Sequence, residues 1–153
     1  MSQILDIYAA LAAQTVTVED VDVPADDLHQ VQNAYERPSL PRRLMLPPGA
    51  NEGSGVVEFT PLSFGNQMQV TWRITDLMLW QAQGQGAGVG DVLPKLTDYI
   101  AAYAEMLRDL KRPTSRSTVT GFSPAADVYE WPAGSGQWYW GVRCIVMVSE
   151  ILC

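Results

Sequence analysis

The feature that most constrains the fold of this sequence is the alternation of residue type between positions 66 and 80. Apolar side chains recur there with a period of two: Met68, Val70, Trp72, Ile74, Met78 and Trp80. Polar side chains lie between them up to position 75: Gln67, Gln69, Thr71, Arg73 and Thr75. Because successive side chains of a strand point to opposite faces, this pattern predicts a β-strand with one buried face. Leu77 and Leu79 end the polar series, so both faces of that end are expected to be covered.

A second periodicity predicts one long helix after the strand. Apolar residues recur there at intervals of three and four: Leu93, Leu96, Ile100, Tyr103, Leu107 and Leu110. Asp91 is the predicted cap, and Pro94 fits because it falls in the first turn. Lys111 and Arg112 complement the carboxyl end of the helix, and Pro113 stops it.

The remaining elements complete an α/β fold of the α+β type. Residues 2–13 predict a short amphipathic helix capped by Ser2, with Ile4, Ile7, Tyr8 and Leu11 on one face. Further strands are predicted at 15–23, 42–46, 56–64, 119–131 with a break at Pro124, and 137–151, the last two joined by a hairpin loop at 132–136. We therefore expect a single domain over 1–153, in which a mainly antiparallel sheet carries the N-terminal helix and the long helix.

The composition favours a protein that assembles with other protein chains. Of the 153 residues, 47% are hydrophobic and only 18% are charged, and aromatic residues and Met are abundant, as at protein interfaces. The net charge of −7 argues against strong nucleic-acid binding. No signal peptide and no membrane span are predicted. Cys144 and Cys153 are expected to be reduced thiols of a chain made in a cytosol.

Catalytic, metal and cofactor signatures are weak, so we predict that the chain is not an enzyme and has no cofactor. His29 is the only histidine, and with two cysteines it gives no zinc-ligand spacing. The loop containing Gly84, Gly86, Gly88 and Gly90 matches neither a dinucleotide fingerprint nor a P-loop. It is expected to be a mobile connection or a loop ordered against a neighbouring subunit. The alternative to a protein that assembles with other chains is a small-ligand-binding α/β domain that uses the loop from Gly84 to Asp91.

Three further groups of residues are candidates for contact surfaces. The acidic group is expected to form a solvated face: Glu19, Asp20, Asp22, Asp26 and Asp27. Arg42 and Arg43 are predicted to pair with this group in the same or a neighbouring subunit. Among the aromatic residues around the last hairpin, Trp138 and Trp140 are expected in the core, whereas Trp131 and Tyr139 are expected to face a partner.

The order of these segments resembles the tail terminator (tail completion) proteins of long-tailed bacteriophages. The resemblance covers most of the chain and includes the opening helix, the proline-bounded 40–44 segment, the strand at 70–76, the glycine loop, the helix at 92–110 and the closing hairpin up to Ile151. These are patterns of order and composition without a catalytic signature. Another head-tail joining protein, such as a neck or stopper subunit, or a tail tube subunit, is the alternative within the same class.

The resemblance implies a subunit of the virion that acts by binding alone. Such a subunit forms a ring, commonly a hexamer, at the head-proximal end of the tail tube. The ring stops tube growth and joins the tail tube protein to the head-tail connector or stopper. The acidic group is then expected to line a channel through which DNA passes without specific binding.

Overall fold

The computed structural model describes residues 2–26, 40–47, 57–62, 67–84 and 88–152. The elements in chain order are α1 (Ile4–Ala12), β1 (Val16–Val18), β2 (Val21–Val23), β3 (Arg42–Leu46), β4 (Val57–Pro61), β5 (Met68–Ala82), α2 (Val89–Asp109), β6 (Ser117–Glu130) and β7 (Trp138–Leu152). An N-terminal helix, one long helix and mainly antiparallel strands confirm the predicted α+β fold.

The main sheet is built on two long antiparallel strands, β5 and β7, of 15 residues each. The strand order is β3-β5-β7-β6, and β4 pairs with β5 as well. β3 pairs with the second half of β5 and β4 with the first half, so these two short strands share one edge. Among the described residues, β6 pairs only with β7 and therefore forms the opposite edge.

Both helices pack on one face of this sheet. The buried residues of β5 and β7 on this face alternate as predicted, and they include Ile74, Met78, Val142, Val146 and Val148. At the β3 end, a smaller cluster covers the opposite face: Leu44, Leu46, Leu77, Leu79 and Tyr139. The expectation that both faces are apolar and covered at Leu77 and Leu79 is confirmed.

The long helix begins earlier than predicted. The residues of this helix that the sheet buries also differ in part from the predicted apolar series. Gly88 is the N-cap residue, so Asp91 lies in the first turn of α2. The buried residues are Val92, Leu96, Tyr99, Tyr103, Met106 and Leu107. Leu93 is wrongly predicted to be in the core, since it is 46% exposed. Two apolar stripes at helical spacing overlap in this segment, and the sheet contacts the one that contains Tyr99.

Two strand predictions need correction. The predicted strand at 15–23 is a hairpin, because Glu19 and Asp20 have φ of 48° and 67° and form a turn between β1 and β2. This left-handed conformation is tolerated by aspartate but is uncommon for glutamate, so Glu19 gives little warning of the turn. The predicted break at Pro124 is absent, and β6 continues through it opposite Cys144. An edge strand tolerates proline because its outward amide position needs no partner in the sheet.

Candidate functional site

The most unusual feature of the core is a buried ion pair between Arg43 of β3 and Asp76 of β5. Arg43 Nη2 lies 2.6 Å from Asp76 Oδ2, and Arg43 Nε lies 3.1 Å from the same oxygen. Both side chains are fully buried. Two charges removed from water are tolerated only when close pairing and further hydrogen bonds offset the cost of desolvation.

Those further hydrogen bonds connect four elements of the fold. Arg43 donates from Nη2 to the carbonyl oxygen of Leu11 at 3.0 Å and from Nη1 to that of Gln14. Tyr103 of α2 donates its hydroxyl to Asp76 Oδ2 at 2.6 Å. The ion pair therefore holds the end of α1, β3, β5 and α2 together.

Burial and nearby charges shift the pKa of several side chains in and beside this cluster. Burial of the Arg43 guanidinium opposes its charge, but Asp76 and the neighbouring tyrosines outweigh burial and raise its pKa above the ordinary value. Burial, reinforced by Asp76, raises the pKa of Tyr99, Tyr103 and Cys144 well above their usual ranges. The buried Cys144 side chain is consequently a neutral thiol and a poor nucleophile.

A second buried carboxylate, Glu150 of β7, lies at the beginning of α1. Its Oε1 accepts a hydrogen bond of 2.7 Å from the backbone amide of Gln3 and one of 3.1 Å from the Ser2 hydroxyl. Trp72 donates its indole N–H to Oε2 at 3.4 Å. A carboxylate at a helix N-terminus interacts favourably with the free amides and the helix dipole. Ser2 also accepts a bond from the Ile4 amide, but the N-cap residue of α1 is Gln3, so the prediction that Ser2 caps this helix is wrong.

The two predicted arginines have different environments. Arg42 Nε lies 3.8 Å from Asp26 Oδ1. Arg42 therefore pairs with the acidic group of its own chain, which is one of the two predicted possibilities. For Arg43 the prediction of a contact surface is wrong, because the side chain is inside the core and pairs with Asp76. Alternation along β3 explains the difference, since consecutive residues of a strand point to opposite sides.

Most of the acidic group lies on or near the β1–β2 hairpin. Glu19 and Asp20 form its exposed turn, and Glu19 accepts a hydrogen bond of 2.7 Å from Lys95 of α2. Asp22 accepts one of 2.7 Å from Thr17. Asp26 is partly buried next to Arg42, and Asp27 lies outside the described residues, as does His29. Lining of a channel by these residues stays a prediction.

The aromatic residues of the last hairpin are distributed differently from the prediction. Tyr139 is only 4% exposed and belongs to the smaller cluster, whereas Trp138 is 46% exposed. The interpretation of Tyr139 as a partner contact and Trp138 as core is therefore wrong. At this end of β7 the smaller cluster covers the face of the sheet that is opposite to the helices. The residue that points to this face, Tyr139, is therefore buried. Trp131 is partly buried against that cluster.

The described parts of the glycine loop lie at its two ends. Gly84 has φ of 86°, a conformation that favours glycine, and Gly88 precedes α2. The Gly88 amide donates to Asp91 Oδ2 at 3.1 Å, so an acid of the chain itself occupies a donor that a phosphate would need. Gly86 lies outside the described residues.

Exposed large apolar side chains occur at both ends of the long strands. We call the end with the 131–137 loop and the start of α2 the loop end; it exposes Val89, Leu93 and Trp138. The other end, where α1 meets Glu150, is called here the terminus end; it exposes Phe59, Met68 and Ile151. Strand register places Phe59 and Ile151 at the terminus end. Phe59 pairs with Val70 and Ile151 pairs with Gln69, and both partners lie close to the start of β5. The two groups are separated by the length of β5, roughly 45 Å.

The sequence contains a signal for the two buried carboxylates. Asp76 lies in phase with Ile74 and Met78 on the core face of β5. Glu150 likewise continues the core series of β7 after Val148. A charged residue in the buried phase of a strand predicts a paired buried charge. Its partners come from distant segments, so the periodicity alone does not identify them.

Comparison with known proteins gives no relative: no protein-family model and no curated protein matches this chain. Within the described residues, no three side chains of His, Cys, Asp or Glu are grouped closely enough to hold a metal ion. None of the described helices is both long and apolar enough to span a membrane. What the described residues define is an α+β domain whose buried charges connect its helices to its sheet.

Proposed function

We propose that this chain is a tail terminator subunit of a long-tailed bacteriophage. In this role it forms a ring, commonly of six copies, at the head-proximal end of the tail tube. The ring ends polymerisation of the tail tube protein and joins the tail to the head-tail connector or stopper protein. The proposal rests on the resemblance in segment order, with which the α+β fold agrees, and on the surfaces described above.

The observation that carries the proposal is the exposure of large apolar side chains at both ends of the long strands. Val89, Leu93 and Trp138 at the loop end are unfavourable in water, as are the three residues of the terminus end. Two separate apolar groups on one small domain favour a subunit that contacts neighbours on more than one side. A subunit between tube and neck needs such contacts.

The interior supports a structural role in a second way. The described carboxylates of the core, Asp76 and Glu150, each accept several hydrogen bonds that hold secondary-structure elements. At the glycine loop, Asp91 occupies the Gly88 amide, which disfavours the alternative of a phosphate-containing ligand. Ligand-free assembly by binding alone is the simpler interpretation of these contacts.

The experiment that tests the proposal is the measurement of assembly state. The purified chain is studied by size-exclusion chromatography with light scattering and by negative-stain electron microscopy. We expect a closed ring of fixed stoichiometry with a central opening. Long polymers would favour a tail tube subunit instead. A strictly monomeric protein at high concentration would overturn the proposal.

Function at the tube end requires a second measurement. Tail tubes polymerised from the tube protein of the same phage are mixed with the purified ring. A terminator is expected to bind one end of each tube and to stop its elongation, so mean tube length falls as the ring concentration rises. Binding without an effect on length would favour a neck or stopper subunit.

A further inference from the structure

The outer side of α1 is apolar although it faces away from the core. Leu5 is 72% exposed, which is the highest exposure of any large apolar side chain among the described residues. Ala9 and Ala13 are exposed as well, and Asp6 is the only charged residue of the helix. A helix that is apolar on all sides is normally buried on all sides. The outer side of α1 is therefore expected to be covered by another surface.

Leu5, Asp6 and Ala9 form a continuous strip on this outer side, which we call the α1 strip. Leu5 lies four positions and Asp6 three positions before Ala9, and these spacings bring side chains together on a helix. Asp6 forms no ion pair with the described residues. The strip thus presents a large apolar side chain and a free carboxylate, with a small residue between them that permits close approach.

A groove between α2 and β6 has the complementary composition. Its volume is about 330 Å³, and we call it the α2–β6 groove. Its lining includes four apolar and two basic side chains: Ala104, Leu107, Val119, Phe122, Arg108 and Lys111. Phe122 stacks on the buried ring of Tyr103 at 5.3 Å between ring centroids, so the floor of the groove is supported by the core.

The two cations of the groove lack an acidic partner among the described residues. Arg108 and Lys111 are three positions apart and therefore lie side by side on α2. Neither forms an ion pair there, although the chain has 17 acidic and only 10 basic residues. A partner that combines an apolar side chain with a carboxylate would match both the floor and the rim of the groove.

Helix α1 does not fill the groove of its own chain. Its two ends are fixed to the sheet by Glu150 and by Arg43. No residue of α1 belongs to the groove lining, and Leu5 is exposed. An α1 strip that enters the groove must therefore come from another molecule.

We propose that the α1 strip of one copy docks into the α2–β6 groove of a second copy of this chain. Leu5 contacts the apolar floor, and Ala9 lets α1 approach α2 of the second copy closely. Asp6 lies opposite Arg108 and Lys111. Docking of a helix through apolar side chains into an apolar groove is a common mode of recognition.

The proposed contact suits a ring. It joins two different surfaces, so each copy gives its α1 strip to one neighbour and receives the strip of another in its groove. Such a heterologous contact repeats from copy to copy and closes into a ring when the rotation allows. The inference rests on the proposed function, because it assigns the contact that joins neighbouring subunits of the ring.

The test is a charge-reversal cycle on the full chain. Asp6→Lys alters the α1 strip, and Arg108→Glu with Lys111→Glu alters the groove. Each change places like charges opposite each other and is expected to weaken self-association about tenfold or more. The combination restores opposite charges and is expected to recover most of the lost affinity. Association constants are measured by analytical ultracentrifugation, and circular dichroism verifies that every variant is folded.

The apolar part of the contact is tested with serine variants. Leu5→Ser removes the side chain that fills the groove and is expected to weaken self-association about tenfold. Leu93→Ser makes the same change at an exposed leucine of the loop end, outside both surfaces, and is expected to alter it by less than about threefold.

Matched charge controls also lie outside both surfaces. Asp98→Lys changes an exposed acid of α2, and Arg112→Glu changes an exposed base that does not line the groove. Both are expected to alter self-association by less than about threefold, as exposed charges away from a contact do. Asp6→Asn removes the charge of the strip without introducing a cation into α1, and it is expected to weaken self-association severalfold.

The outcomes separate this inference from the proposed function. Rings that tolerate both reversals would overturn the inference and leave the proposed function standing. Reversals that weaken the ring without mutual rescue would show that the two surfaces do not meet, which also overturns it. Mutual rescue in a wild-type protein that stops at a dimer would support the contact and overturn the ring. A monomeric wild-type chain would overturn both proposals.

Discussion

The two ends of helix α1 are held by buried carboxylates in opposite ways. At its beginning, Glu150 accepts hydrogen bonds directly from the Gln3 amide and the Ser2 hydroxyl. At its end, Asp76 acts through Arg43, whose guanidinium donates to the carbonyls of Leu11 and Gln14. The free amides of a helix start attract an anion and the free carbonyls of its end attract a cation. The comparison shows that α1 is fixed to the sheet by charges matched to its dipole.

The largest expected effect comes from removing one partner of the ion pair. Arg43→Met leaves Asp76 charged and buried without its guanidinium, so we expect the free energy of unfolding to fall by about 3–5 kcal/mol. Urea denaturation followed by tryptophan fluorescence measures the change.

The double variant Arg43→Met with Asp76→Leu sharpens this result. It removes both charges, and the remaining cost comes from the unpaired Tyr103 hydroxyl and α1 carbonyls, about 1–3 kcal/mol. A double variant less stable than Arg43→Met would contradict the view that the unpaired charge dominates.

A smaller effect is expected at the other end of α1. Glu150→Gln keeps the size of the side chain but removes its charge from the helix start, which we expect to cost about 1–2 kcal/mol. Hydrogen exchange of the first amides of α1 is expected to accelerate more than exchange in α2. Equal stability of this variant and wild type would mean that the hydrogen bonds alone, without charge, hold α1.

Two buried tyrosines of α2 provide a matched pair with an effect of similar size. Tyr103 donates to Asp76, whereas the Tyr99 hydroxyl forms no hydrogen bond with the described residues. Tyr103→Phe is expected to cost about 1–2 kcal/mol, and Tyr99→Phe is expected to be neutral or stabilising. Thermal unfolding of the two variants gives the comparison, and the reverse order would show that the Asp76 bond is of little importance.

The last expected effect appears only at high pH, at the alkaline limit of stability. Because burial raises the pKa of Cys144, Tyr99 and Tyr103, the folded chain keeps protons that the unfolded chain releases above about pH 9. Their contribution to stability is complete below that pH and is lost as pH rises, by up to about 1.4 kcal/mol per pH unit for each group. Tyr99→Phe removes one group and is expected to flatten the decline above pH 10. An unchanged slope in denaturation curves would contradict this assignment.

Local periodicity predicted the fold well, because α1 and most of the length of β5 and β7 have a single apolar face. It failed where neighbouring parts of the fold decide burial. Leu93 belongs to the apolar stripe of α2, and Tyr139 lies out of phase with the apolar face of β7. The position of the sheet and the smaller cluster nevertheless leave Leu93 exposed and Tyr139 buried.

The buried charges were harder to predict than the strands that contain them. Arg43 was expected on the surface because a charged residue is seldom buried. Its partner Asp76 is 33 positions away, and no local pattern connects them.

The position of β7 in the middle of the sheet has a consequence for synthesis. β7 is the last strand in the described chain, yet it joins β5 to β6 and supplies the carboxylate at the start of α1. Helix α1 leaves the ribosome before the other described elements, but its anchor is a residue 147 positions after Gln3. Partners so far apart in sequence make folding slow relative to local helix formation. A nascent chain therefore cannot complete its core, and cannot join an assembly as a finished subunit, until translation has passed Glu150.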